Sequence, residues 1–143
     1  MSVPAPANQT ATAVEGSVSV IGVPALAATE LAQASTAAAT QITPTLTGTS
    51  ATTVFVGGFM VDGLGATAGS VIAVTLSGLL GGSQVFRVTI PAGVTVALAG
   101  ARLVVEFARP IPASAVNTPI VLTVPSFGTG NTVANAAIHG FYR

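Results

Sequence analysis

The sequence predicts an all-β protein: a β-sandwich, of the jelly-roll type or a related Greek key, with an N-terminal arm. Three observations point there. From about residue 51, short runs rich in Val, Ile, Thr and Phe recur, alternating apolar with polar positions. Between them stand the breaks "LLGG", "PAG", "RPIPAS" and "PSFGTGN", where Gly permits positive φ and Pro removes a ladder donor. At 143 residues the chain is long enough for one domain with a real core.

The arm comes first. Residues 1–50 are rich in Ala, Thr, Ser and Pro and contain no aromatic residue. The opening "MSVPAPANQTATA" reads as a mobile or partner-ordered tail, and "GSVSVIG" (16–22) is a candidate strand. Two readings stay open for "PALAATELAQASTAAATQI" (24–42). One is a helix, with Pro24 in its first turn and Leu31, Ala34, Ala38 and Ile42 on one stripe. The other is an extended arm, because Thr and Ser favour helix only weakly.

Residues 51–143 form the sandwich domain, with six strands expected. "TVFVGGFMV" (53–61) leads into the turn-like "DGLGATAG" (62–69), where Asp62 reads as a turn former. "SVIAVTLSG" (70–78) places Ile72, Val74 and Leu76 on one face and Ala73, Thr75 and Ser77 on the other. "SQVFRVTI" (83–90) points Phe86, Val88 and Ile90 inward and Arg87 outward. "RLVVEF" (102–107) does the same with Leu103, Val105 and Phe107, leaving Arg102 and Glu106 outside. "TPIVLTV" (118–124) contributes Ile120, Leu122 and Val124, and "VANAAIHGFYR" (133–143) ends the chain. With one or two strands from the region before residue 50, the total is seven or eight.

Charge narrows the function. Only 6% of residues are charged, against about a quarter in an ordinary soluble domain. Four arginines (Arg87, Arg102, Arg109, Arg143) balance four acids (Glu15, Glu30, Asp62, Glu106), and lysine is absent. Net charge near zero removes the repulsion that keeps molecules apart, so the chain is expected to bury surface against copies of itself or a larger assembly. Nucleic acid is not an expected partner, since phosphate contacts need clustered basic residues. Neither is a membrane: no stretch of about 18 residues is continuously apolar, and one Tyr, six Phe and no Trp are too few for aromatic girdles. "VSVIGVPALAA" (18–28) imitates the apolar part of a secretory signal without its basic flank, the first positive side chain being Arg87.

No catalytic, cofactor-binding or metal-ligating residues are expected. With one His, no Cys and scattered carboxylates, the sequence supplies neither a nucleophile beside a base nor a ligand cluster. Ser114 and Ser126 could share only His139, and no G-x-S-x-G elbow is present. "GLGATAG" (63–69) lacks the lysine of a phosphate loop and precedes a strand. Arg87, Arg102 and Glu106 are read as sharing the outer face of two strands, in a cross-strand ion pair or a subunit contact.

The chain's only His and only Tyr lie in "AAIHGFYR" (136–143). Alternation puts Ala137, His139 and Phe141 on one face and Ala136, Ile138, Gly140 and Tyr142 on the other. Neither face is polar, so this strand is expected to be covered on both sides, by the core and by a neighbouring subunit. The expected oligomer interface is therefore Ile138, His139, Phe141 and Tyr142, with Arg87, Arg102 and Glu106.

The ordered run "VTLSGLLGG", "FRVTIPAGVTV", "FARPIPASAVNTPIVLTVPSFGTGN" and "AAIHGFYR", about half the chain, resembles small β-domains of bacteriophage virion proteins, among them capsid decoration (cement) proteins and head-fibre or tail-fibre modules. The resemblance implies a non-enzymatic homotrimer on the capsid surface of a virion. Its partners would be its own copies and the major capsid protein, whose subunits it would bridge with the N-terminal segment. The alternative it implies is the receptor- or glycan-binding head of a fibre, for which Phe127 and Tyr142 are the candidate stacking residues.

Overall fold

The structure is a computed structural model that describes residues 29–93 and 101–143. Eight strands follow in order: β1 (Thr29–Ala37), β2 (Thr45–Leu46), β3 (Val54–Leu64), β4 (Ser70–Ser77), β5 (Gln84–Ile90), β6 (Ala101–Pro112), β7 (Ile120–Thr123) and β8 (Val133–Tyr142). They form two four-stranded antiparallel sheets, ordered β1-β8-β3-β6 and β2-β7-β4-β5. β1 pairs with β8, β2 with β7, β3 with β6 and β4 with β5, so the chain folds as one long doubled hairpin. That hairpin is wrapped shut where β3 meets β8 and β4 meets β7. An eight-stranded double sheet with this order is a jelly roll.

The six strands expected after residue 50 are present as β3–β8. The strands before it are β1 and β2; the candidate at 16–22 lies outside the described residues, as does the opening tail. Over residues 29–37 the chain is strand and not helix, because a continuous ladder from Thr29↔Tyr142 to Ala37↔Ala134 claims its backbone. Intrinsic preference in an Ala/Thr/Ser segment is weak enough for such pairing to override it. The expected arm boundary at residue 50 is also corrected for residues 29–50. Ile42 and Leu46 lie in the core, and Ile42 exchanges backbone hydrogen bonds with Val124 at 3.0 and 2.9 Å.

Alternation sets the core. Ile72, Val74 and Leu76 meet Ile120, Leu122 and Val124 inside the sandwich, with Val88 and Ile90 beside them. Leu103, Val105 and Phe107 pack inward against this cluster. On β3 the inward set changes parity, Val54 and Val56 before the glycine pair and Phe59 and Val61 after it. The extra residue is a β-bulge between Val56 and Gly58, which resets the side-chain phase of the strand. Phe59 then packs edge-on against Phe86 of the opposite sheet, ring centroids 5.0 Å apart.

One local feature differs from expectation, and a second has no counterpart in the sequence reading. Asp62 is a strand residue, since β3 runs to Leu64 and the turn begins after it. Asn131, in the "GTGN" turn, is buried, where its side chain ties three segments together. Its Oδ1 accepts from the Ala39 amide (2.9 Å), and its Nδ2 donates to the Leu64 and Val133 carbonyls (2.7 and 2.6 Å).

Candidate interaction face

The outer face of the β1-β8-β3-β6 sheet gathers many of the polar and titratable groups among the described residues, and strand register arranges them in rows. Residues directly opposite on neighbouring strands point to the same side. The first row is polar: Thr36, Asn135, Asp62 and Arg102. Thr36 donates to Asn135 Oδ1 at 2.6 Å, and Asn135 Nδ2 donates to Asp62 Oδ1 at 2.7 Å. Arg102 turns its guanidinium to the Met60 sulfur, 3.3 Å away. The second row is apolar: Ala34, Ala137, Met60 and Val104, and Val104 is 54% exposed. Between the first two rows lies a shallow depression of about 320 Å³ lined by Ala34, Thr36, Met60, Asp62, Asn135 and Ala137 among others.

The third row is Ala32, His139, Gly58 and Glu106. His139 on β8 and Glu106 on β6 are separated by the whole of β3, roughly 10 Å for two strand spacings. Their side chains nevertheless meet, Nε2 to Oε2 at 3.2 Å. The glycine pair makes this possible. A Cβ on Gly58 would stand 2.6 Å from Glu106 Oε2, and one on Gly57 would stand 3.2 Å from the His139 ring. Both partners are half or more exposed, so solvent screens the pair and its contribution to stability is small.

The fourth row is aromatic. Phe55 and Phe141 stack with centroids 4.9 Å apart and planes 13° from parallel, and the Arg143 guanidinium lies over the Phe55 ring at 5.1 Å. Reciprocal backbone bonds between Arg143 and Thr53 hold that end of the chain in place (2.9 and 3.1 Å).

Of the residues expected at an interface, His139, Phe141, Arg102 and Glu106 therefore share one face. Ile138 does not: it is 1% exposed inside the sandwich. Tyr142 packs against the rim of the same core. Arg87 lies on β5, in the other sheet, opposite Ala73. The expected grouping of Arg87 with Arg102 and Glu106 is thus replaced, Glu106 having His139 as its partner. Phe127, read as an available stacking aromatic, is 1% exposed; its ring covers Gly63, whose missing side chain leaves the space it fills. Sequence reasoning missed Thr36, Met60, Asn135 and the role of Gly57 and Gly58. A glycine pair inside an otherwise apolar strand was the one available signal, since glycine there marks a bulge or a close approach.

Among the described residues, no three metal-ligating side chains converge. No protein-family model matches the chain, and no curated protein is detectably similar to it.

Proposed function

We propose that the protein is a non-enzymatic structural component of a virion, a decoration or cement protein that associates with its own copies and with the major capsid protein on the capsid surface. The observation that carries this reading is the apolar row Ala34–Ala137–Met60–Val104 on the outer face of a jelly-roll sheet. A row of small and apolar side chains, flanked by polar groups already bonded to one another, suits burial against another protein. The low charge of the chain supports the same reading, because little desolvation cost opposes contact. Function as the glycan-binding head of a fibre is less well supported. Phe127 is in the core, and Phe55 and Phe141 are stacked on each other, which leaves few free aromatic faces for a sugar.

Co-sedimentation with purified capsids tests the proposal. The wild-type chain is expected to pellet with capsids at a saturable stoichiometry. Ala137→Arg and Met60→Arg, which put charge in the apolar row without entering the core, should abolish this. Failure of the wild type to bind capsids, or binding to host glycans instead, would refute the reading.

A further inference from the structure

The four sheet edges are not equally protected. An open edge presents a line of unpaired N–H and C=O groups, and native proteins blunt it with short strands, prolines, bulges or charges. β2 is only two residues long. β6 carries Arg102, Glu106, Arg109, Pro110 and Pro112, and β5 has Arg87 at its centre. β1 has nine residues, no proline and a single charge, Glu30. Its outer edge has no partner among the described residues.

The described side chains of β1 also hold it weakly. Glu30, Ala32, Ala34 and Thr36 on its outer face are exposed, and on its other face Thr29 and Gln33 are exposed while Ser35 and Ala37 are half-buried. Of these, Thr36 bonds to Asn135 and Ala37 packs against the core; beyond them, the attachment described is the backbone ladder to β8. A strand secured mainly by one ladder gains most from a second ladder on its open side.

We infer that this edge pairs antiparallel with β1 of a second copy, about a two-fold axis at Gln33. The choice of a second copy rests on self-complementarity. About that axis, Ala32 lies opposite Ala34, Glu30 opposite Thr36 and Thr29 opposite Ala37. No like charges meet, and outer-face residues stay on the outer face. The small-residue row through Ala34, Ala137 and Met60 continues into the second molecule beside its Ala32. Zero formal net charge leaves no long-range repulsion to oppose the approach. The contact joins copies in pairs and is additional to any threefold arrangement. It does not depend on the capsid reading, because it is measured on the isolated protein.

The chain contains no cysteine, so single cysteines can be placed without background. In the full-length protein under mild oxidation, Gln33→Cys is expected to form a covalent dimer nearly completely, since residues at a two-fold axis of paired strands come within disulfide reach. Thr89→Cys, exposed on β5, serves as the collisional control and should remain monomeric on the same timescale. Ala32→Lys combined with Ala34→Lys places like charges opposite each other twice and should weaken self-association by roughly tenfold or more, with the circular-dichroism spectrum unchanged. Equal cross-linking of Gln33→Cys and Thr89→Cys would overturn the inference. So would a wild-type mass that is monomeric at every concentration, or a trimer in which Gln33→Cys does not cross-link.

Discussion

Replacing Asn131 by alanine removes a side chain that is 4% exposed and makes three hydrogen bonds, two to backbone groups of distant segments and one to the backbone just after its own turn. The cost can be worked from what each partner retains. The Leu64 carbonyl still accepts from the Thr132 amide at 3.1 Å, so its loss is partial. The Ala39 amide loses the Asn131 acceptor, and the Val133 carbonyl loses its side-chain donor. A buried group left unsatisfied costs about 1–3 kcal/mol, and some water can reach the Ala39 turn, which is exposed. The expected destabilisation is therefore about 2–3 kcal/mol, a large share of the roughly 5–15 kcal/mol typical of a domain. For a chain of this size it corresponds to a fall in melting temperature of roughly 5–10 °C. Urea denaturation at fixed protein concentration should show a lower midpoint with an unchanged slope. Asn131→Asp separates chemistry from volume: it keeps an acceptor for Ala39 but turns a carboxylate oxygen toward two carbonyls, so it should be at least as damaging as alanine. If Asn131→Ala lies within about 0.5 kcal/mol of wild type, the side chain is not the tie that its geometry indicates.

The packing makes three other substitutions or deletions informative. Ile138→Asp puts a carboxylate at a position 1% exposed, so it should yield unfolded or aggregated protein; a normally folded, soluble variant by circular dichroism would contradict the placement of β8 against the core. Gly63→Val would drive its side chain into the Phe127 ring, an overpacking expected to cost about 3 kcal/mol or more by denaturant melt. Deleting residues 1–45 removes β1 and Ile42 and should abolish the cooperative thermal transition; retention of a sharp transition would show that β3–β8 suffice.

The legible part of the fold was its periodicity. Alternation placed Ile72, Val74 and Leu76 inside because a strand has only two faces and water selects between them. It also put His139 and Ile138 on opposite faces of β8. Half of the face carrying the candidate site was therefore visible in the alternation alone. Its other half depends on which strands are neighbours, and no local pattern encodes that.

An all-β sandwich and a chain nearly without charge were both readable from the amino-acid order, since each is a sum or a short-range period. Tertiary structure decided that residues 29–46 join both sheets, that Phe127 is a core residue and that Asn131 is a buried tie. It also decided that His139 meets Glu106. That last contact joins strands far apart in sequence and requires the third strand, β3, to pass between them with glycines, Gly57 and Gly58, at the crossing. The physical reason is common to all four: each is fixed by long-range strand order and register, and backbone pairing holds β1 where its own composition is undecided between helix and strand.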